Sequence, residues 1–369
     1  EWYLDRNNKT IYYLPKQGED MSKTETIVPE LEKLVELRGT LDRPVHNIVF
    51  EGVTLAHGNW LLPSKIGFVD VQANFVLDWE KNPLNRPTGL TNLNNQHQKS
   101  PANVVCRATR SIRFERCTFT KLGGAGLDIE FGSQDNVVEG CRFHDISGTA
   151  IQVGDVLNDD HHPDDPRKIV KNNAIVNNYI HDCGLDYWGS IGVMAGYTEG
   201  TLIAHNEIAN LPYSGISIGW GWGEQDAGGG NPGWYQPSKY DTPTAARNNR
   251  IEYNHIHGVM SRTDDGGGIY TLGNQPGTII RSNHIHDCSN PKSKRNWSCG
   301  IYLDEGSGFI EVTDNLVYDV PISDNYNNKV QNRLATCKVH DNFFNINPDK
   351  AKNIVQGAGL EADYRDLLE

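Results

Sequence analysis

Two acidic segments flanked by glycine carry the clearest chemistry in this chain. One reads Arg262-Thr263-Asp264-Asp265-Gly266-Gly267-Gly268-Ile269-Tyr270, and the other Gly300-Ile301-Tyr302-Leu303-Asp304-Glu305-Gly306. Aligning Ile269 with Ile301 places the acids on neighbouring turns of a repeat. If the turns are stacked strands about 4.8 Å apart, offset carboxylates lie about 5–9 Å from one another. That range spans the separations used by retaining and by inverting glycoside hydrolysis. Two such acids raise each other's proton affinity, so one can stay protonated while its partner attacks or activates water. Asp265 and Asp304 are the first choices, with Asp264 and Glu305 as substitutes. The competing reading is that these acids cap glycine turns or bind solvent ions.

Other residues could complete a sugar site. Tyr270 and Tyr302 stand at strand spacing beside the acids and could position a hydroxyl or tune a carboxyl. Trp220, Trp222, Trp234 and Tyr235 could stack on the apolar face of a pyranose, since aromatic faces supply area at little conformational cost. Packing that pins a long glycine-rich loop explains the same residues. Glu224 and Asp226 share that loop and are candidates for a replacement acid, whereas Glu130 reads as a distal subsite residue. Asp159, Asp160, His161, His162 and Asp164 form a dense patch that could hold calcium or a transition metal. They match no regular metal motif, so a solvated acidic loop is the default. His144, His181 and His286 each precede an Asp, which reads as a turn ladder.

The elements that must position these residues follow from internal repeats. An apolar–x–x–Asn–x–apolar segment recurs with Asn178, Asn206, Asn254, Asn283, Asn315 and Asn342 at one place, and Cys117 and Cys141 hold that place earlier. Asn178 to Asn206 spans 28 residues and Asn254 to Asn283 spans 29, a length that suits one β-helix coil of three short strands. Stacked inward asparagines can pass hydrogen bonds from coil to coil. A second strand follows each ladder, as in Ala150-Ile151-Gln152-Val153-Gly154 and Gly215-Ile216-Ser217-Ile218-Gly219. Its alternation predicts one outward row of Asp128, Gln152, Gly192, Ser217, Tyr270 and Tyr302. A second row, two residues on, would be Glu130, Gly154, Met194, Gly219, Leu272 and Asp304. The expected fold is an all-β right-handed parallel β-helix over residues 41–345. Residues 1–40 are expected as a hairpin and capping segment packed on the solenoid, with a short strand and a turn of helix after Met21, and 346–369 as a C-terminal cap. Excursions at Leu61–Ser100, His161–Arg167 and Trp220–Arg250 break the regularity, where recognition usually sits.

The opening Glu1-Trp2-Tyr3-Leu4-Asp5, Tyr12-Tyr13-Leu14-Pro15, the repeated Asn coils and the two acidic glycine segments together resemble the right-handed β-helix glycoside hydrolases of family 141. The resemblance runs over nearly the whole chain, although only the two acidic segments touch chemistry. It implies an enzyme acting on plant cell-wall glycans, α-L-fucosidase and xylanase activities both being represented, with an aspartate pair matching Asp265 and Asp304. Family members usually carry more sequence before the Glu-Trp-Tyr-Leu-Asp segment.

Composition bounds the alternatives. The 369 residues carry a formal net charge of −13, which opposes nonspecific binding to nucleic acid or anionic membranes. An oligo- or polysaccharide is the expected partner, with no nucleic acid, no membrane and no stated oligomeric state. No apolar run reaches the length of a membrane span and no signal segment opens the chain; a secreted or periplasmic location is the expectation. Seven cysteines at irregular spacing show neither a zinc signature nor a disulfide framework and read as small core residues. No cofactor is required by the acid-pair reading, and a structural calcium is conceivable. The rival functions are a polysaccharide lyase, for which Arg247, Arg250, Arg262 and Arg281 could supply the cations, and a non-catalytic carbohydrate-binding solenoid.

Overall fold

The computed structural model describes residues 2–5, 7–60, 75–77, 97–228, 239–295, 297–323 and 336–369. Residues 1–30 and 31–369 form two separate compact units. In the first, Trp2–Asp5 pairs antiparallel with Thr10–Tyr13, joined by a turn at Asn7-Asn8-Lys9. Asp5 accepts hydrogen bonds from the Asn7 and Asn8 backbone N–H groups, the usual chemistry of an Asx turn. The expected helical turn after Met21 is absent: residues 24–34 carry no helix.

The second unit is a right-handed parallel β-helix. Three parallel sheets of nine, nine and eight strands among the described residues run along it, one strand of each per regular coil. The first sheet begins at Val49–Glu51 and ends at Lys338–His340, and the second runs from Thr54–Gly58 to Phe343–Phe344. The third runs from Val35–Arg38, within the segment expected to cap, to Ser298–Leu303. Alternation decides what goes inside. Ile175, Ile203, Ile251 and Ile280 stack in the first sheet, and Ile180, Ile208, Ile256 and Ile285 in the second. Ile151, Val193, Ile216, Ile269 and Ile301 stack in the third, and all of these residues are fully buried.

The bend between the first and second sheets explains the asparagine repeat. Arg116, Gly140, Asn177, His205, Tyr253, Ser282 and Asp314 all have positive φ there. That turns the chain sharply and points the next side chain inward. Those next residues are Cys117, Cys141, Asn178, Asn206, Asn254, Asn283 and Asn315. Asn206 Nδ2 donates to Asn254 Oδ1, and Asn254 Nδ2 to Asn283 Oδ1, at 2.9 Å each. Each amide also takes a backbone N–H from the coil before and gives to a carbonyl, so the buried bend has its polar groups satisfied. After the second sheet, Asp145, Asp182, Gly258, Asp287 and Asp319 occupy the next left-handed bend, which is why an acid follows His144, His181 and His286. Six cysteines are buried, Cys337 is half-buried, and all are free thiols.

Register corrects one detail of the outward rows. Gln152 pairs with Met194, which pairs with Ser217, so Met194 takes the place expected for Gly192. The second row at that coil is then Gly196, and Gly154, Gly196 and Gly219 follow one another. This face is not open along its length, for Asp128, Gln152, Met194 and Ser217 are all buried. Gln152 donates to the Ser100 carbonyl and Lys99 pairs with Asp128. The end of the 61–100 excursion therefore lies over the early strands of the third sheet.

The tail closes the unit lengthwise. After a short helix at Lys352–Gly357, residues 359–367 run back along the asparagine bend. Gly359 N–H donates to Tyr253 O, Glu361 bonds Asn177, Tyr364 OH donates to Glu139, and Asp366 pairs with Arg116 at 2.8 Å.

Candidate active site

Asp265 and Asp304 come together on adjacent strands of the third sheet, Gly266–Thr271 and Ser298–Leu303, which pair with Tyr270 opposite Tyr302. Asp265 precedes its strand in a left-handed conformation (φ 64°), uncommon for a non-glycine residue. Two contacts hold it there. Its N–H donates to Trp297 O at 2.9 Å, and the Tyr213 hydroxyl donates to its carbonyl at 2.8 Å. Asp304 follows the neighbouring strand, its N–H donating to Thr271 O. It is 7% exposed.

The two tyrosines connect the acids. Tyr270 OH donates to Asp304 Oδ2 at 2.6 Å. Tyr302 OH donates to Asp265 Oδ1 at 3.1 Å and also supports the Asp304 carboxylate. Their rings meet edge to face at 5.3 Å. Burial is the main force on both carboxyls and raises both. For Asp304 the tyrosine hydroxyls oppose it and the Asp265 charge adds to it, leaving the group at about 6. Asp265 is relieved by Tyr302 and by the positive charge of Arg295. Both carboxyls therefore sit above the ordinary range, and Asp304 reaches about 6.

The substitutes separate from the pair. Asp264 is hydrogen-bonded to Ser293, in the segment leading to the next strand. Glu305 is half-buried and lends its backbone N–H to Asp304. Trp220 is buried between Phe75, at 4.4 Å, and Trp222, at 5.2 Å, an arrangement that pins the insertion. Trp234 and Tyr235 lie outside the described residues. The turn Gly221–Gly223 abuts Gly306, where an added Cβ would meet Gly223 N at 2.2 Å, so the insertion rests on the Asp304 turn. Glu224, next in the chain, is 6% exposed and raised to about 7 by burial. Asp226 is raised to about 6 by burial and accepts the Asn274 N–H.

Glu130 stands four strands from the Asp265 strand and five from the Asp304 strand, about 20–24 Å along the sheet, paired with Arg107 at 3.3 Å and near Lys99 at 3.8 Å. In the acidic patch Asp159 and Asp164 pair with Lys168. Asp160 accepts the Leu157 N–H, and His161 and His162 bond each other. Among the described residues, the groups with three converging metal donors are elsewhere: His255, His284 and His286, and Glu207, His255 and His257. Of the four arginines suited to a lyase, Arg247 pairs with Glu199, Arg250 and Arg281 pair with Glu252, and Arg262 lies over the Trp188 ring.

Sequence reasoning passes over Arg295, whose charge reaches Asp265, and Tyr213, which fixes the Asp265 backbone. The basic run Lys292-Ser293-Lys294-Arg295 in an acidic chain is the signal that could have drawn attention to the first.

The chain is similar to a solved structure described as a glycoside hydrolase, with a TM-score of 0.80 and 34% identity over 99% of this chain. This chain spans 59% of that protein's length. Weaker likenesses are to the Streptococcus pneumoniae surface adhesin PfbA (TM-score 0.42, 16% identity, 75% of this chain and 58% of that one) and to a GH136 lacto-N-biosidase from Eubacterium ramulus (TM-score 0.38, 11% identity, 84% and 59%). No protein-family model and no curated protein matches the sequence.

Proposed function

We propose that this chain is the catalytic β-helix of a glycoside hydrolase in which Asp304 is the general acid and Asp265 the partner carboxylate. The observation that carries the reading is the acid pair linked through two touching tyrosines, Tyr302 donating to Asp265 and Tyr270 to Asp304, with Asp304 buried and raised to about 6. An acid of that strength keeps its proton in mildly acidic solution and can deliver it to a leaving oxygen. The similar structure described as a glycoside hydrolase supports the same reading.

Of the two courses open to a carboxyl pair, we propose the retaining one, in which the second acid serves as nucleophile. Asp265 then attacks the anomeric carbon as Asp304 protonates the departing oxygen. Water, deprotonated by Asp304, afterwards releases the sugar from Asp265. The substrate we infer is a plant cell-wall polysaccharide or its side chains, of the kind handled by family 141, with fucosides and xylan as first candidates. The cleavage itself calls for no cofactor, and an oligo- or polysaccharide substrate fits a secreted or periplasmic enzyme. A lyase is disfavoured by the ion pairs that engage Arg247, Arg250 and Arg281.

The test is product analysis on an aryl α-L-fucoside, xylan and a panel of cell-wall glycans. Wild type should release reducing sugar of retained configuration by NMR, and Asp265→Asn and Asp304→Asn should each lose at least about 100-fold in kcat/KM with unchanged circular dichroism. An unsaturated, ultraviolet-absorbing product, or full activity in both variants, would overturn the assignment.

A further inference from the structure

The outward face of the second sheet carries a different cluster. Its strands Glu207–Ala209, His255–His257, His284–His286 and Leu316–Tyr318 pair in register. Glu207, His255 and His284 thus form one row, with His257, His286 and Tyr318 in the next. Four imidazoles and a carboxylate meet on three consecutive coils of a face where nothing in the acid-pair chemistry needs them.

Hydrogen-bond partners fix the ring tautomers. His255 Nδ1 lies 2.9 Å from Glu207, and His286 Nδ1 lies 2.7 Å from Asp287. A carboxylate accepts only, so each Nδ1 carries the proton. That leaves two bare lone pairs, and they face one another: His255 Nε2 and His286 Nε2 are 2.9 Å apart. Two lone pairs at that distance repel unless an electrophile lies between or beside them. A divalent transition ion with metal–nitrogen distances of about 2.0–2.1 Å sets neighbouring ligand nitrogens about 3.0–3.4 Å apart, close to what is seen. His284 brings a third nitrogen within 4.8 Å of both. Carboxylates holding the far nitrogen of ligating imidazoles are the usual outer support of such sites.

We propose that His255, His284 and His286 bind one divalent transition-metal ion of the zinc type, with Glu207 and Asp287 as positioning residues. An all-imidazole set selects against calcium and magnesium, which require oxygen. The ligands come from two consecutive coils. The first leads from His257 into Asp265, and the second from His286 into the strand ending at Asp304, so the ion would staple the two coils that carry the acids. The site does not depend on the hydrolase reading.

The experiment uses untagged, chelator-treated protein titrated with zinc chloride by calorimetry, with calcium chloride as comparison and cobalt chloride for its visible absorption. One equivalent of zinc per chain, no calcium uptake and a cobalt spectrum of nitrogen ligation are expected. His255→Gln/His286→Gln should abolish uptake, and Asp287→Asn, an exposed bend substitution, should weaken it about 10–100-fold. No saturable zinc uptake by the wild type, as in a cluster held by a shared proton, would overturn the proposal. So would uptake unchanged in the double variant or, should that variant misfold, in Asp287→Asn.

Discussion

Tyr302 donates its hydroxyl hydrogen to Asp265 and its ring meets Tyr270, the donor to Asp304, which makes it the most informative residue to alter. Tyr302→Phe removes the donor to Asp265. It should lower kcat/KM about tenfold, at the low end of the roughly 1.5–3 kcal/mol of a hydrogen bond to a charged group, and shift the alkaline limb of the pH profile upward because Tyr302 also holds the Asp304 carboxyl down. That limb, in wild type, is expected near pH 6, where Asp304 gives up its proton; activity falls as pH rises through it. The same group bears on stability. Its folded value exceeds the ordinary 3.8, so between about pH 4 and 6 the folded state holds a proton that the unfolded chain has released. Stability is therefore lost as pH rises through that window. Asp304→Asn should be indistinguishable from wild type in denaturant midpoint near pH 4, and about 1–3 kcal/mol more stable at pH 7. Identical midpoints at both pH values would contradict this. The acids themselves were legible as sequence because glycine and tyrosine recur around them. Arg295 and Tyr213 were not, since they reach Asp265 through space from segments with no repeat.

At the scale of elements, the asparagine bend and the glycine contact beside Asp304 do different work. Asn254 both gives and accepts within a fully buried row, so Asn254→Ala orphans several buried groups at once. A loss of about 3–5 kcal/mol in chemical denaturation is expected, against about 1 kcal/mol for Asn342→Ala at the half-buried end of the row. Gly306→Ala tests the other element. Its φ of 75° and the Gly223 N contact mean a methyl must push the insertion off the Asp304 turn, and kcat/KM should fall far more than thermal stability. The coil period, the inward Ile rows and the buried Asn rows could be read in advance because each is a periodic demand of one backbone shape. The two-residue shift at Met194 could not, since Ile191 and Val193 satisfy the same alternation and only pairing with Ile151 chooses between them. The histidine cluster escaped for a related reason: Glu207, His255 and His284 are separated by coils of unequal length, and only the sheet brings them into line.

For the molecule as a whole, a solenoid is a stack in which each coil knows only its neighbours. Stability then approximates a one-dimensional chain of units and couplings, able to fray from either end. The segment at residues 359–367 breaks that rule. It contacts Tyr253, Asn177, Glu139 and Arg116, so a segment beyond the late coils is fastened back to one of the early ones. The tie between Arg116 and Asp366 spans 250 positions of sequence. Contacts so distant in sequence form late in folding, because loop closure must be met before they add anything. Once formed, they couple coils that otherwise melt independently. A chain ending at residue 358 should accordingly fold at least as fast as the full chain, but unfold over a broader temperature range and with a smaller denaturant slope. Loss of sharpness, more than loss of midpoint, is the signature to look for by calorimetry. The tail thus acts on the statistics of the fold: it turns a row of separable parts into something that opens all together or not at all.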